Sequence, residues 1–195
     1  MAQGAWRNSA KLILGFATEY SGRRRSGKWT PSRTRLDEET RGTIYEGVLR
    51  EQCEPVDLSA FTNTAFADEA PGDGKGGWTD QGSGCDMHVM AVGKQTFVGV
   101  PFWIIDPDEN GETSCILLKG RAWLHLPQSV TQLPVGESYR RLYFLHTCAL
   151  AKDAGTLFRY VVNCDDGSKV EIPVRRGQEV SDWFDPRDLP GARAA

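Results

Sequence analysis

The side chains best suited to chemistry crowd into one stretch, AFADEAPGDGKGGWTDQGSGCDM, from Ala65 to Met87. Asp68, Glu69, Asp73, Asp80 and Asp86 alternate there with glycines at 72, 74, 76, 77, 82 and 84. So many glycines make a poor helix or strand, because each loses much conformational freedom on folding. They do permit a tight loop in which carboxylates and carbonyls converge. Hard oxygen ligands on a flexible loop are what Ca²⁺ takes. The spacing is not that of an EF-hand, and no GxxxxGK[ST] phosphate loop occurs. The competing reading is a structural turn whose Asp side chains cap backbone N–H groups. Trp78 stands at the centre of the loop. It can stack on the C–H face of a sugar or plug one end of a core, and its large apolar area favours burial.

Other chemistries are less well provided. There is no GxSxG elbow, no HExxH and no kinase or dinucleotide fingerprint. His88, His125 and His146 are isolated in sequence, and His146 ends the apolar run Leu142 to Leu145, as a hydrogen-bonded core histidine would. Convergence of the three in space stays open. A glycosidase needs two carboxylates facing across a sugar. Asp80, Asp86, Asp106 and Asp108 are the candidates, and sequence alone does not place them. The five cysteines are odd in number and form no CxxC pair, which argues against a zinc site or a dense disulfide framework. Cys115, Cys148 and Cys164 lie in apolar runs and read as small buried hydrophobes.

The elements that would position these groups read as β after Pro55. The expected strands are Thr96 to Ile105, Ser114 to Leu118, Val130 to Val135, Tyr139 to Ala149, Thr156 to Cys164 and Lys169 to Val174. They are rich in Val, Ile, Leu, Phe and Tyr and are punctuated by Gly, Pro, Asn and Asp. No long helical pattern separates them, which disfavours βαβ units and points to antiparallel strands in a sandwich or barrel. One hairpin can be argued to its register. A two-residue turn at Asp166-Gly167 would mix core and solvent faces. A three-residue loop, Asp165-Asp166-Gly167, sets Val162 opposite Val170 and Tyr160 opposite Ile172, with Gly167 in the left-handed position. Within VGVPFWIID, Phe102 and Trp103 alternate, so one of them faces outward if the strand covers the core on one side. Trp78 and Trp103 are two of six tryptophans, more than a core of this length needs.

The chain of 195 residues, 39% hydrophobic and 25% charged, can build one sizeable core. Residues 1–54 are basic and mixed, with Arg23, Arg24, Arg25 and Lys28 clustered before Pro31, and read as an N-terminal segment of unassigned structure that can pack on the main domain, 55–195. From Arg35 to Cys53 a helix starting at Asp37 and a strand over Thr43 to Leu49 are both open. A net charge of −3 gives no support for a nucleic-acid partner. No apolar window reaches the length a membrane-spanning helix needs, and Lys11 to Phe16 is too short for an export signal, so a soluble chain without membrane partner is expected.

The runs DEAPGDGKGGWTDQGSGCDM, FVGVPFWIIDP, SCILLKG, LYFLHTCA, YVVNCDDGSKVEIPV and SDWF, in that order, resemble a β-sandwich accessory domain of bacterial polysaccharide-degrading enzymes. Such domains are similar to jelly-roll, galactose-binding-like carbohydrate-binding modules. The resemblance spans roughly residues 55–185. It implies an all-β antiparallel sandwich, a secreted setting, and a polysaccharide or oligosaccharide partner. It implies a structural calcium near Asp68, Asp73 and Asp80, and sugar contacts near Trp78, Trp103, Asp80 and Asp86, with no catalytic residue. Such domains usually continue beyond SDWF. Either residues 1–54 supply the missing strands, or an open sheet edge pairs with a fused domain or a second copy. Three functions follow for comparison. A binding module shows an exposed planar aromatic beside polar groups. A glycoside hydrolase or lyase shows paired carboxylates in a deep cleft. A structural or assembly domain shows neither.

Overall fold

The computed structural model describes residues 54–75, 77–120, 123–135, 142–151 and 155–194, with the backbone of three short strands before them. Those are β1 (Lys11–Leu12), β2 (Ser21–Gly22) and β3 (Pro31–Ser32). The remaining strands are β4 (Gly93–Phe97), β5 (Val100–Ile104), β6 (Ile116–Leu117), β7 (Thr156–Asn163) and β8 (Lys169–Arg175). Among the described residues the single helical element is the 3-10 turn Ser59–Phe61, so the fold there is all-β. Among the described residues the four ladders are antiparallel and two-stranded: β1 with β6, β2 with β3, β4 with β5, and β7 with β8. The pairing of β1 with β6 brings one N-terminal strand onto the main domain, Lys11 opposite Leu117 and Leu12 opposite Ile116.

The hairpin β7–β8 has the register that its side-chain alternation requires. Val162 stands opposite Val170 and Tyr160 opposite Ile172. Cys164 N–H donates to Ser168 O and Gly167 N–H to Cys164 O, both at 2.9 Å, which closes the three-residue loop. Gly167 sits at φ 79°, a conformation that costs glycine nothing. Phe158, Val170, Ile172 and Val174 are buried on the inner face, while Arg159, Val161, Lys169 and Glu171 are exposed on the outer one.

Elsewhere the expected strands are redrawn. Thr96 to Ile105 is not one strand: it holds the end of β4, a turn and all of β5. β4 and β5 are joined by a two-residue turn at Val98-Gly99, with Phe97 opposite Val100. Both turn residues have positive φ, 50° and 81°, the hallmark of the tight turn that matches strand twist. Such turns favour Asn-Gly, so a β-branched valine hid this one. Val130 to Val135 is exposed or half-buried chain without a ladder, as the polar Ser129, Thr131 and Gln132 and the flanking Pro127 and Pro134 allow. Ser114 to Leu118 shrinks to β6 plus a bridge between Cys115 and Thr64. Of Tyr139 to Ala149, the first three residues lie outside the described set, and 142–147 run without a ladder to the Cys148–Asp182 bridge. The Arg23–Arg25 cluster and the helix-or-strand question over Arg35 to Cys53 also lie outside it.

Among the described residues two apolar clusters form the core. One joins the inner face of β4–β5 (Val100, Phe102, Ile104) to Cys115, Leu117, Leu145, Phe66 and Trp78. The other joins Phe158 and Val174 of β7–β8 to Cys148, Ala151 and Val180. Residues 142–149 run from one to the other: Leu145 packs in the first, and its neighbour His146 faces Phe158 and Tyr160. Cys115 and Cys148 are buried as expected, but Cys164, beside the hairpin loop, is half-buried.

Candidate functional site

The Gly/Asp loop is a closed structure built by its own carboxylates. Its base is fastened by Met87 N–H to Phe66 O at 3.1 Å, and its entry by the Asn63 side-chain amide, which pairs with both backbone groups of Leu117 at 2.8 and 2.9 Å. Asp80, at φ 56°, clasps the tip: its carbonyl accepts Gly72 N–H at 2.9 Å and its Oδ1 accepts Gly74 N–H at 3.2 Å. Asp73, which is exposed, caps Lys75 N–H at 2.8 Å. Asp68 Oδ2 takes Gly82 N–H at 2.7 Å, and Asp86 Oδ2 takes Asp68 N–H at 2.8 Å. Short acidic side chains serve here because they reach backbone donors two to eighteen residues away without a regular ladder.

Trp78 is completely buried beneath this loop and meets Trp183 edge-on, ring centres 5.9 Å apart. It is therefore a core residue tying the loop to the SDWF corner, where Trp183 N–H donates to Cys148 O at 3.0 Å. Gly77, just before it, admits no side chain, because a Cβ there would lie 1.8 Å from Ala67 O.

Asp86 is buried and carries the densest set of donors. Its Oδ1 accepts His88 N–H at 3.2 Å and also meets His88 Nδ1. Burial pushes its pKa up, but the bond from Asp68 N–H and the hydrogen bonds and charge of His88 outweigh that and hold it below the ordinary carboxylate value. His88 is thus presented with Nδ1 toward Asp86, half its side chain exposed. The three histidines keep separate partners: His88 has Asp86, His125 has Trp123, and His146 has Tyr160 and the Glu179 carbonyl.

As a cation site the loop fits in one respect and not in another. Asp68 is 2% exposed, and its Oδ1 has no hydrogen-bond partner, an unmet demand of the kind a cation or water meets. Asp73 and Asp80, however, spend an oxygen each on backbone N–H groups. Among the described residues no three His, Cys, Asp or Glu side chains converge.

Trp103 has the opposite disposition to Trp78. Phe102 points into the core at 8% exposure while Trp103 is 54% exposed on the outer face of β4–β5. The register sets Lys94 directly opposite Trp103 and Thr96 opposite Pro101, and both Lys94 and Thr96 are exposed. Counting from the turn, Phe97/Val100 is the closing hydrogen-bonded pair, so Thr96/Pro101 and Lys94/Trp103 are non-hydrogen-bonded pairs. Pro101 is tolerated for that reason, since the ladder asks no N–H of it. Side chains at such pairs stand closer than at hydrogen-bonded ones, so Lys94 and Trp103 share the outer face as cross-strand neighbours. Sequence reading found Trp103 but missed Lys94 and Thr96. The signal was the alternation in GKQTF before the valine-glycine turn.

No family model, no curated protein and no solved structure matches this chain.

Proposed function

We propose that the chain is a non-catalytic carbohydrate-binding module, a β-sandwich of the jelly-roll, galactose-binding-like type acting on polysaccharide outside the cell. The observation that carries this is the half-exposed indole of Trp103 on the antiparallel β4–β5 hairpin, with exposed Lys94 opposite it and exposed Thr96 on the same face. A flat aromatic beside hydrogen-bonding groups suits a pyranose, whose C–H face is apolar and whose rim is hydroxylated. The two apolar clusters, bridged by residues 142–149, are the two halves of the proposed sandwich core. Trp78, Asp80 and Asp86 are buried and shape the Gly/Asp loop, without touching sugar.

The test is native affinity electrophoresis against soluble plant and algal polysaccharides. At least one should retard the protein, and Trp103→Ala should weaken that binding by about tenfold or more, the ~1.4 kcal/mol expected of an anchoring aromatic. No retardation of the folded protein by any polymer ends the proposal. Calcium belongs to the same reading, with Asp68 Oδ1 as its side-chain ligand. A chelator should then lower the thermal midpoint, because an ion held only by the folded state adds stability. An unchanged midpoint removes calcium and leaves the sugar site standing.

A further inference from the structure

The hairpin from Gly93 to Ile104 carries one charged side chain, Lys94. It is exposed and stands directly across from Trp103. Among the described residues its ammonium has no ion-pair partner and no ring contact. The nearest acid along the chain after β5, Asp106, directs Oδ1 to Asp108 N–H at 3.0 Å, and His88, upstream of β4, faces Asp86. Lys94 therefore offers an uncommitted positive charge at the edge of the exposed indole.

Resting on the sugar-binding reading above, we propose that the Trp103 face selects an anionic sugar, one bearing a carboxylate or a sulfate ester. Opposed side chains at a non-hydrogen-bonded pair have Cβ atoms about 4.5–5.5 Å apart. A pyranose lying on the indole thus has its rim within reach of the lysine's long stem. A neutral sugar would take one hydrogen bond from the ammonium. An anionic one takes a charge-assisted bond, which is shorter and stronger. The protein's net charge of −3 repels polyanions in general, so preference for an acidic polymer needs a local cation of this kind. The simpler role for Lys94 is to keep a two-stranded sheet from pairing at its edge. That role makes the charge matter for self-association and not for ligand.

Binding is measured on the full chain with matched polymers: polygalacturonate against its carboxyl-reduced form, and a sulfated galactan against its desulfated form. Wild type should prefer one or both charged members. Lys94→Gln should weaken binding to that member about three- to fivefold, the upper range for an exposed ion pair, and weaken the uncharged member less, so that the ratio of the two affinities falls. Lys94→Arg should retain the preference, and added salt should erode it. The pair that responds tells carboxylate from sulfate. If wild type binds sugar with no preference for charge, or if Lys94→Gln keeps the preference, the inference falls while the binding function stands. If wild type binds no polymer, both fall. Lys94 is exposed, so its variants should keep the wild-type thermal midpoint, which confirms that each comparison is between folded proteins.

Discussion

At the scale of the residue, the Gly/Asp loop works by subtraction. Gly77 is present because nothing larger fits between the chain and the Ala67 carbonyl. Gly77→Ala forces a backbone shift under a completely buried tryptophan, and its cost should be about 3 kcal/mol or more. Gly84 is the control: a Cβ there meets nothing within 4 Å, so Gly84→Ala should stay within about 0.5 kcal/mol of wild type. Urea midpoints of the two variants decide it, and equal losses would disprove the packing argument. The carboxylates act likewise through what they hold. Asp68, Asp80 and Asp86 are buried and each has backbone donors, and of their oxygens Asp68 Oδ1 is the one buried without a hydrogen-bond partner. The glycine and acid content of this loop was visible in sequence. Which oxygen would be spare was not, since that depends on backbone donors from positions as far away as Gly82.

At the scale of the element, the two hairpins show what sequence can and cannot convey. β7–β8 was legible to its register because alternation and a glycine agreed on one loop length. β4–β5 was not, because Val98 occupies a positive-φ position that valine disfavours. The strain there is removable. Val98→Asn should raise stability by about 1 kcal/mol, because asparagine adopts that conformation readily and Asn-Gly is the favoured pair for this turn. In a chain of this size that is a thermal shift of about 2–4 °C. A lower midpoint would mean that the half-buried valine contributes more by packing than it loses in strain. The strand expected over Val130 to Val135 failed for a related reason. Its composition is β-like, but among the described residues it forms no ladder and none of its side chains is buried.

At the scale of the whole molecule, the core meets at residues 142–149. His146 is 1% exposed, with Nδ1 bonded to the Tyr160 hydroxyl and Nε2 to the Glu179 carbonyl, both at 2.9 Å. Burial lowers its pKa to about 4, against the opposing pull of the Glu179 carbonyl bond and charge. The unfolded chain therefore binds the proton more readily than the folded one between about pH 6.5 and 4. Stability should fall as pH drops through that window, by about 3 kcal/mol in total. His146→Gln should flatten the urea midpoint over the same range. Below it the loss should continue as Asp86, whose carboxyl is held low, takes up its proton. A profile unchanged by His146→Gln would assign the acid sensitivity elsewhere. That a histidine after LYFL would be buried was readable from its neighbours. That its segment would run between two clusters was not, because neither cluster is local in sequence.

The edge-on contact of Trp78 with Trp183 joins positions more than a hundred residues apart. Such a contact has a kinetic meaning. Closing so long a loop costs entropy before any cohesion is gained, so pairings of this kind form late. As the chain leaves the ribosome, the Gly/Asp loop waits for the segment around Trp183 to be made before its tryptophan is fully covered. Its maturation should be among the final events of folding, and indole fluorescence would time it.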